Sequence, residues 1–218
     1  MFLFNRLVYI DNNRTFSYRT LREGCICFLL GFVVPVGDDI STYILNQDSY
    51  YTDHSDLTFE QRTQLNYDEP SIFDHEALYQ DVKCLMGGES ISKKDYDFTQ
   101  HARCDSQQLI SPCDVLILEG IHALHDARLC ELMFLKMYIN VEPDICLLRR
   151  INRDIKERKR SIDSISAQYL TTVKPMYDKY IRNYISDADI IVTRGGKNAR
   201  IVDILAGYMR NSLMTAKR

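Results

Sequence analysis

Apolar residues gather into runs of strand length at 41–46 (STYILN), 114–118 (DVLIL), 135–141 (LKMYINV) and 188–193 (ADIIVT), with helix-patterned stretches between and after them. Strands that alternate with helices imply a parallel sheet covered on both faces, a doubly wound α/β fold. One helix is predicted to start after Asp74, a natural N-cap, to carry Leu78, Val82 and Leu85 on one stripe, and to stop at Gly87-Gly88. A second, from about Asn198, repeats Ile201, Ile204, Leu205, Tyr208 and Met209 at helical spacing and is expected to lay that stripe on the sheet. Residues 89–112 lack a helical period and alternate around Tyr96-Asp97-Phe98, which predicts a strand pair projecting from the main sheet. The run CICFLLGFVVPV at 25–36 is well short of the roughly 20 residues that a membrane-spanning helix needs. It lies behind arginines and a glutamate, unlike a signal peptide, so it reads as a buried strand or as misread sequence.

With 218 residues, 45% of them hydrophobic, the chain can bury a sizeable core and is expected to form one α/β domain. A net charge of -3 gives no global cationic field for nucleic acid or an anionic membrane, so neither is expected as a partner. The seven cysteines are odd in number, scattered and never spaced C-x-x-C. That argues against a disulfide framework or a zinc knuckle and fits a reducing cytoplasm.

In an open parallel sheet, ligands sit outside the carboxyl ends of the strands. Three such ends carry chemistry: Asp48 after YILNQ, Glu119 in VLILEG, and Arg194-Gly195-Gly196 after DIIVT. An acid closing a strand like VLIL resembles an arrangement that holds magnesium beside a nucleotide, yet either acid alone also reads as a helix cap or surface turn. The basic run RRINRDIKERKR at 149–160 is a solvated helix face if Asp154 and Glu157 only make local ion pairs. Its arginines outnumber those acids, however, and a movable arginine-rich segment suits charge spreading over a phosphoryl group. Tyr96, Phe98 and His101 in YDFTQH supply aromatic faces and a hydrogen bonder for a planar base, or simply core.

Taken in order, ILNQDSYY (44–51), NYDEPSIFDH (66–75), YDFTQHAR (96–103), VLILEGI (115–121), DICLLRRINRDIKER (144–158), AQYLTTVKPMYDKYI (167–181) and ADIIVTRGGKN (188–198) strongly resemble the uridine kinase (uridine/cytidine kinase) family of P-loop kinases, over about residues 37–212. The resemblance implies a P-loop NTPase-type sheet with a projecting β-hairpin and a helical arginine-rich lid. It also implies ATP-dependent (or GTP-dependent), Mg2+-assisted phosphorylation of uridine or cytidine at the 5′-hydroxyl, in pyrimidine salvage, by a homo-oligomer, usually a tetramer. Carried over, it makes Asp48 the general base and Glu119 the magnesium-side acid. Tyr51, Asp68, Tyr96, Phe98, His101, Arg150, Arg160 and Gln168 become nucleoside-site residues, and Arg153 and Arg158 lid arginines that meet phosphates. The aromatic YDFTQH segment disfavours a phosphoribulokinase, another P-loop relative.

The family's spacing puts the phosphate-binding loop, G-x-x-x-x-G-K-[ST], within residues 12–23, but NNRTFSYRTLRE holds no glycine and no lysine. Residues 1–36 are therefore expected to be an atypical or misread segment, and residues 37–218 a uridine kinase-like domain. The alternative function is a catalytically impaired nucleoside-binding pseudokinase, or an incomplete gene product lacking the ATP loop. Lys159 stands where the family usually has glycine, which is expected to stiffen the lid, and Thr193 stands where a proline normally precedes Arg-Gly.

Overall fold

The structure, a computed structural model, describes residues 6–11, 40–193 and 198–216. In chain order its strands are β1 (Arg6–Asp11), β2 (Thr42–Asn46), β3 (Ile91–Ser92), β4 (Tyr96–Asp97), β5 (Ala102–Arg103), β6 (Leu109–Ile110), β7 (Val115–Glu119), β8 (Met133–Asn140) and β9 (Ile190–Thr193). The helices are α1 (Phe59–Thr63), α2 (His75–Met86), α3 (Ala127–Leu132), α4 (Pro143–Lys156), α5 (Ile162–Gln168), α6 (Lys174–Lys179) and α7 (Ala199–Ala216). Five strands form one parallel sheet in the order β2-β7-β1-β8-β9.

Alternation along the strands feeds two cores. Leu116 and Leu118 of β7, with Tyr138 of β8, pack under α2 through Leu78, Val82 and Leu85. Val115, Ile117, Met137 and Ile139 face the other way, against Val202, Leu205, Ala206, Met209 and Leu213 of α7. Helices thus cover both faces, as a sheet buried on both sides requires.

The expected α2 is present, with the Asp74 side chain accepting from the Ala77 amide at 2.9 Å and Gly88 at φ 89 just past its end. The projecting strand pair is also present, as two nested antiparallel pairs: β3 with β6, and β4 with β5. Two readings change. Ile204 and Tyr208 of α7 are exposed, Tyr208 stacking on Phe134 at 6.0 Å, because the buried stripe is set by Val202, Leu205 and Met209 instead. Strand β1 was not anticipated, since its apolar centre, Leu7 to Ile10, is only four residues between Arg6 and Asp11. It takes the middle of the sheet, between β7 and β8. The apolar run at 25–36, the expected loop at 12–23 and Arg194-Gly195-Gly196 lie outside the described residues.

Candidate active site

The register of the sheet brings the acids together. Asn46 ends β2 directly opposite Glu119 at the end of β7, so the turn Gln47–Tyr50 begins beside that carboxylate. The Asn46 side chain accepts from the Asp48 amide at 2.9 Å and shapes this 3-10 turn. Gln47 is wholly buried, its Oε1 accepting from the His122 amide at 2.9 Å. Gly120 lets it lie there: a Cβ on Gly120 would stand 2.3 Å from Gln47 Oε1 and 2.4 Å from its Cβ.

Asp68 enters from the 66–69 turn and is buried. Burial, then Glu119 and Asp68, raise the Asp48 pKa well above the ordinary carboxylate range, while Arg158 and Arg153 pull it down. Burial likewise raises Asp68, opposed by Arg150 and by a hydrogen bond from Thr172. Thr172 lies in the single π-helical turn Tyr169–Val173 that joins α5 to α6. Three carboxylates thus converge, and Arg150, Arg153 and Arg158 answer them.

Those arginines come from the end of α4 and the segment after it, gathered on one carboxylate. Asp154 is fully buried, with Arg153 at 2.7 Å, Arg160 at 3.4 Å, Arg158 at 3.5 Å and Arg150 at 3.8 Å. Arg150 and Arg160 both also donate to Gln168 Oε1, at 2.9 and 2.5 Å. Burial and the neighbouring arginines lower Arg158 to about 10, which leaves it cationic at neutral pH.

The aromatic residues close the third side. Tyr51 is the buried centre, stacked on Phe73 at 4.5 Å, with Tyr96 at 4.9 Å, Tyr67 at 5.3 Å and Phe98 at 6.3 Å. The hairpin turn between β4 and β5 carries Phe98 and His101. Asp97 Oδ1 holds it by accepting from the Thr99 and Gln100 amides at 2.7 and 3.2 Å. His101 sits at φ 47 with its ring 4.9 Å from Tyr67. Burial, with Arg62 and Arg158, lowers its pKa and keeps it neutral.

Asp48, Asp68 and Glu119 form the acid group, Arg150, Arg153, Arg158, Arg160 and Gln168 the arginine cluster, and Tyr51, Tyr96, Phe98 and His101 the aromatic box, whereas Arg194-Gly195-Gly196 lies outside the described residues. Several participants were missed. Tyr67 and Phe73 flank Asp68 within a quoted segment, and Asp154 had been read only as a local ion-pair partner. Gln47, His122 and Thr172 carry no local signal, because their roles arise from contacts far along the chain. Among the described residues no group of three or more His, Cys, Asp or Glu could hold a metal ion unaided. Glu119 beside Asp48 offers instead the sparse carboxylate set that suits Mg2+ completed by water and phosphate oxygens.

The chain is similar to known kinases. Uridine kinase of Limosilactobacillus reuteri (strain DSM 20016) is 45% identical over 171 residues, 78% of this chain and 78% of the relative. Uridine kinase of Bacillus cereus (strain G9842) is 45% identical over 165 residues, 76% of this chain and 78% of the relative. The fold is shared with a candidate fructose transport system kinase from Silicibacter sp. TM1040, at a TM-score of 0.64 and 17% identity, covering 86% of this chain and 89% of that one. It is also shared with a possible uridine kinase from Bacillus stearothermophilus, at a TM-score of 0.52 and 14% identity, covering 86% and 88%. The model of the phosphoribulokinase / uridine kinase family matches residues 31–200, and the chain belongs to that family of kinases.

Proposed function

We propose that the chain transfers the γ-phosphoryl group of ATP or GTP to the 5′-hydroxyl of uridine or cytidine, with residues 37–218 and the central strand β1 as the kinase domain. The observation that carries this reading is that the acids, the arginine cluster and the aromatic box all meet around Asp48. Asp48 takes the proton of the 5′-hydroxyl as its oxygen attacks the γ-phosphorus. The new O–P bond forms while the bridging P–O bond to the β-phosphate breaks and the nucleoside diphosphate leaves. A carboxylate held above its ordinary pKa is a stronger base, and Arg153 and Arg158 limit that rise.

Asp68 accepts from ribose hydroxyls, with Arg150 and Thr172 fixing its carboxylate. Tyr51, Tyr96, Phe98 and His101 enclose the pyrimidine, and Arg150, Arg160 and Gln168 form the adjoining wall. Arg153 and Arg158 offset charge on the transferred group. Bound at Glu119, Mg2+ would add charge neutralisation at the phosphates.

A second reading rests on residues 12–23, which directly follow β1 and contain no glycine or lysine. It is a nucleoside-binding protein that transfers no phosphate. The purified chain is to be incubated with ATP, Mg2+ and, in turn, uridine, cytidine and ribulose 5-phosphate, while nucleoside and ATP binding are followed by calorimetry. Formation of the pyrimidine nucleoside monophosphate supports the first reading. Nucleoside binding with neither turnover nor ATP binding supports the second. Phosphorylation of ribulose 5-phosphate alone overturns both.

A further inference from the structure

His122 is wholly buried behind the acid cluster, and the reaction described above makes no use of it. Its Nε2 lies 2.8 Å from the backbone carbonyl oxygen of Asp68. A carbonyl only accepts, so the imidazole proton sits on Nε2 and donates there. In the neutral ring Nδ1 then carries a lone pair, and the Tyr184 hydroxyl at 3.0 Å donates to it. With that proton committed, the Tyr184 oxygen accepts from Nδ1–H of exposed His125 at 3.2 Å. The bonds run in one direction, from His125 through Tyr184 and His122 to Asp68. On its backbone side, the His122 amide donates to Gln47 Oε1 at 2.9 Å, one residue before Asp48.

We infer that His122 is a positioning residue: its Nε2–H fixes the peptide that presents the Asp68 carboxylate, and Tyr184 fixes which nitrogen carries that proton. The Asp68 backbone is held at both ends, since its amide donates to Asn66 Oδ1 at 3.1 Å. Loss of the Nε2 donor leaves the Asp68 carbonyl buried without this partner, and the turn reorients to find another. Nothing in the local sequence EGIHALH marks this role, because all three partners are far away along the chain. The inference rests on the reading of Asp68 as a nucleoside ligand.

The test needs no turnover. Uridine affinity is measured by calorimetry for the wild-type chain, His122→Gln, His122→Asn, Tyr184→Phe and the His122→Gln/Tyr184→Phe double variant, with melting temperatures taken in parallel. The glutamine amide reaches the position of Nε2 and keeps the donor, whereas the asparagine amide reaches only that of Nδ1. His122→Gln is expected within about 3-fold of wild type and His122→Asn about 10-fold weaker, although both lower the melting temperature similarly, as one lost hydrogen bond of this kind implies. Tyr184→Phe frees the tautomer and is expected to weaken uridine about 3- to 10-fold alone, but to have no effect in the His122→Gln background. Equal affinity of His122→Gln and His122→Asn, or a Tyr184→Phe effect that persists with glutamine at 122, overturns the inference and leaves the nucleoside reading standing. If the wild-type chain binds neither uridine nor cytidine, the nucleoside reading itself is overturned, and the inference with it.

Discussion

The Asp154 carboxylate lies 2.7 Å from the Arg153 guanidinium and is fully shielded from solvent, while Arg150, Arg158 and Arg160 converge on the same two oxygens. Four cations around one buried anion stay together only while that anion is charged. Asp154→Asn should therefore cost about 3 kcal/mol, the scale for removing one partner of a buried ion pair. Chemical denaturation measures the loss. Inorganic phosphate should restore part of it, because an anion can take up the uncompensated arginines.

Lys159 sits between two of these arginines in the left-handed region, at φ 55. A side chain there crowds its own carbonyl at a cost of roughly 1–2 kcal/mol, and glycine gives back part of that gain through the entropy of the unfolded chain. Lys159→Gly should stabilise the protein by about 0.5–1 kcal/mol in the same denaturation experiment. It should also speed proteolysis between Lys156 and Ser161, since the glycine relaxes the segment.

The lysine was legible in the sequence as a departure from glycine, and the structure supplies its physical meaning. Local signals of that kind carried most of what could be read: the cap at Asp74, the acids at strand ends, the density of arginines. Asp154 was visible but undervalued, because a single acid in a basic run looks the same whether it faces water or gathers four arginines around itself. His122 and Gln47 were invisible, since their partners lie 54 and 75 residues away. Strand β1 was passed over because a parallel strand at the centre of a sheet needs only a short apolar core when its neighbours supply the pairing.

Gly120 has a sharper consequence than a flexible turn would have. A methyl group there meets buried Gln47 at 2.3–2.4 Å, and Gln47 has no room to retreat. Gly120→Ala should destabilise by about 2–3 kcal/mol, the upper range for overpacking. The displaced turn carries Asp48, so any kinase activity should fall further than the melting temperature alone accounts for. Paired melting and rate measurements separate the two effects.

Asp48 must be ionised to act as a base, and its pKa is raised chiefly by burial, then by Glu119 and Asp68. The rate of phosphoryl transfer should therefore fall on the acid side at a pH above the ordinary carboxylate range. Removing a cation raises the pKa further, so Arg158→Gln should move that limb to higher pH, and Asp68→Asn should move it lower. Asp48→Asn should reduce kcat by 100-fold or more, the usual scale for a lost general base. pH–rate profiles of the four proteins check the order. Arg158→Gln with an unmoved limb would exclude Asp48 as the titrating group.

His122 ties stability to pH in the opposite sense to Asp48. Burial, with lesser effects from His125 and His75, lowers its pKa to about 4, against roughly 6.5 in the unfolded chain. Between those values the unfolded state binds a proton that the native state refuses, so the contribution is complete above about pH 6.5 and drains away as pH falls towards 4. The whole window amounts to about 3 kcal/mol for this one group. Asp48 and Asp68, with raised pKa values, add stability as pH falls and partly mask the loss. They do so equally in wild type and in His122→Gln, which has nothing to titrate at this position, so the difference between the two proteins isolates the imidazole. Wild type should lose its advantage over His122→Gln steadily between pH 6.5 and 4, by up to about 3 kcal/mol, in urea denaturation at fixed ionic strength. A constant difference across that range would mean that the native ring takes up its proton as readily as the unfolded one, and that the bonds to Asp68 and Tyr184 do not depend on a neutral imidazole.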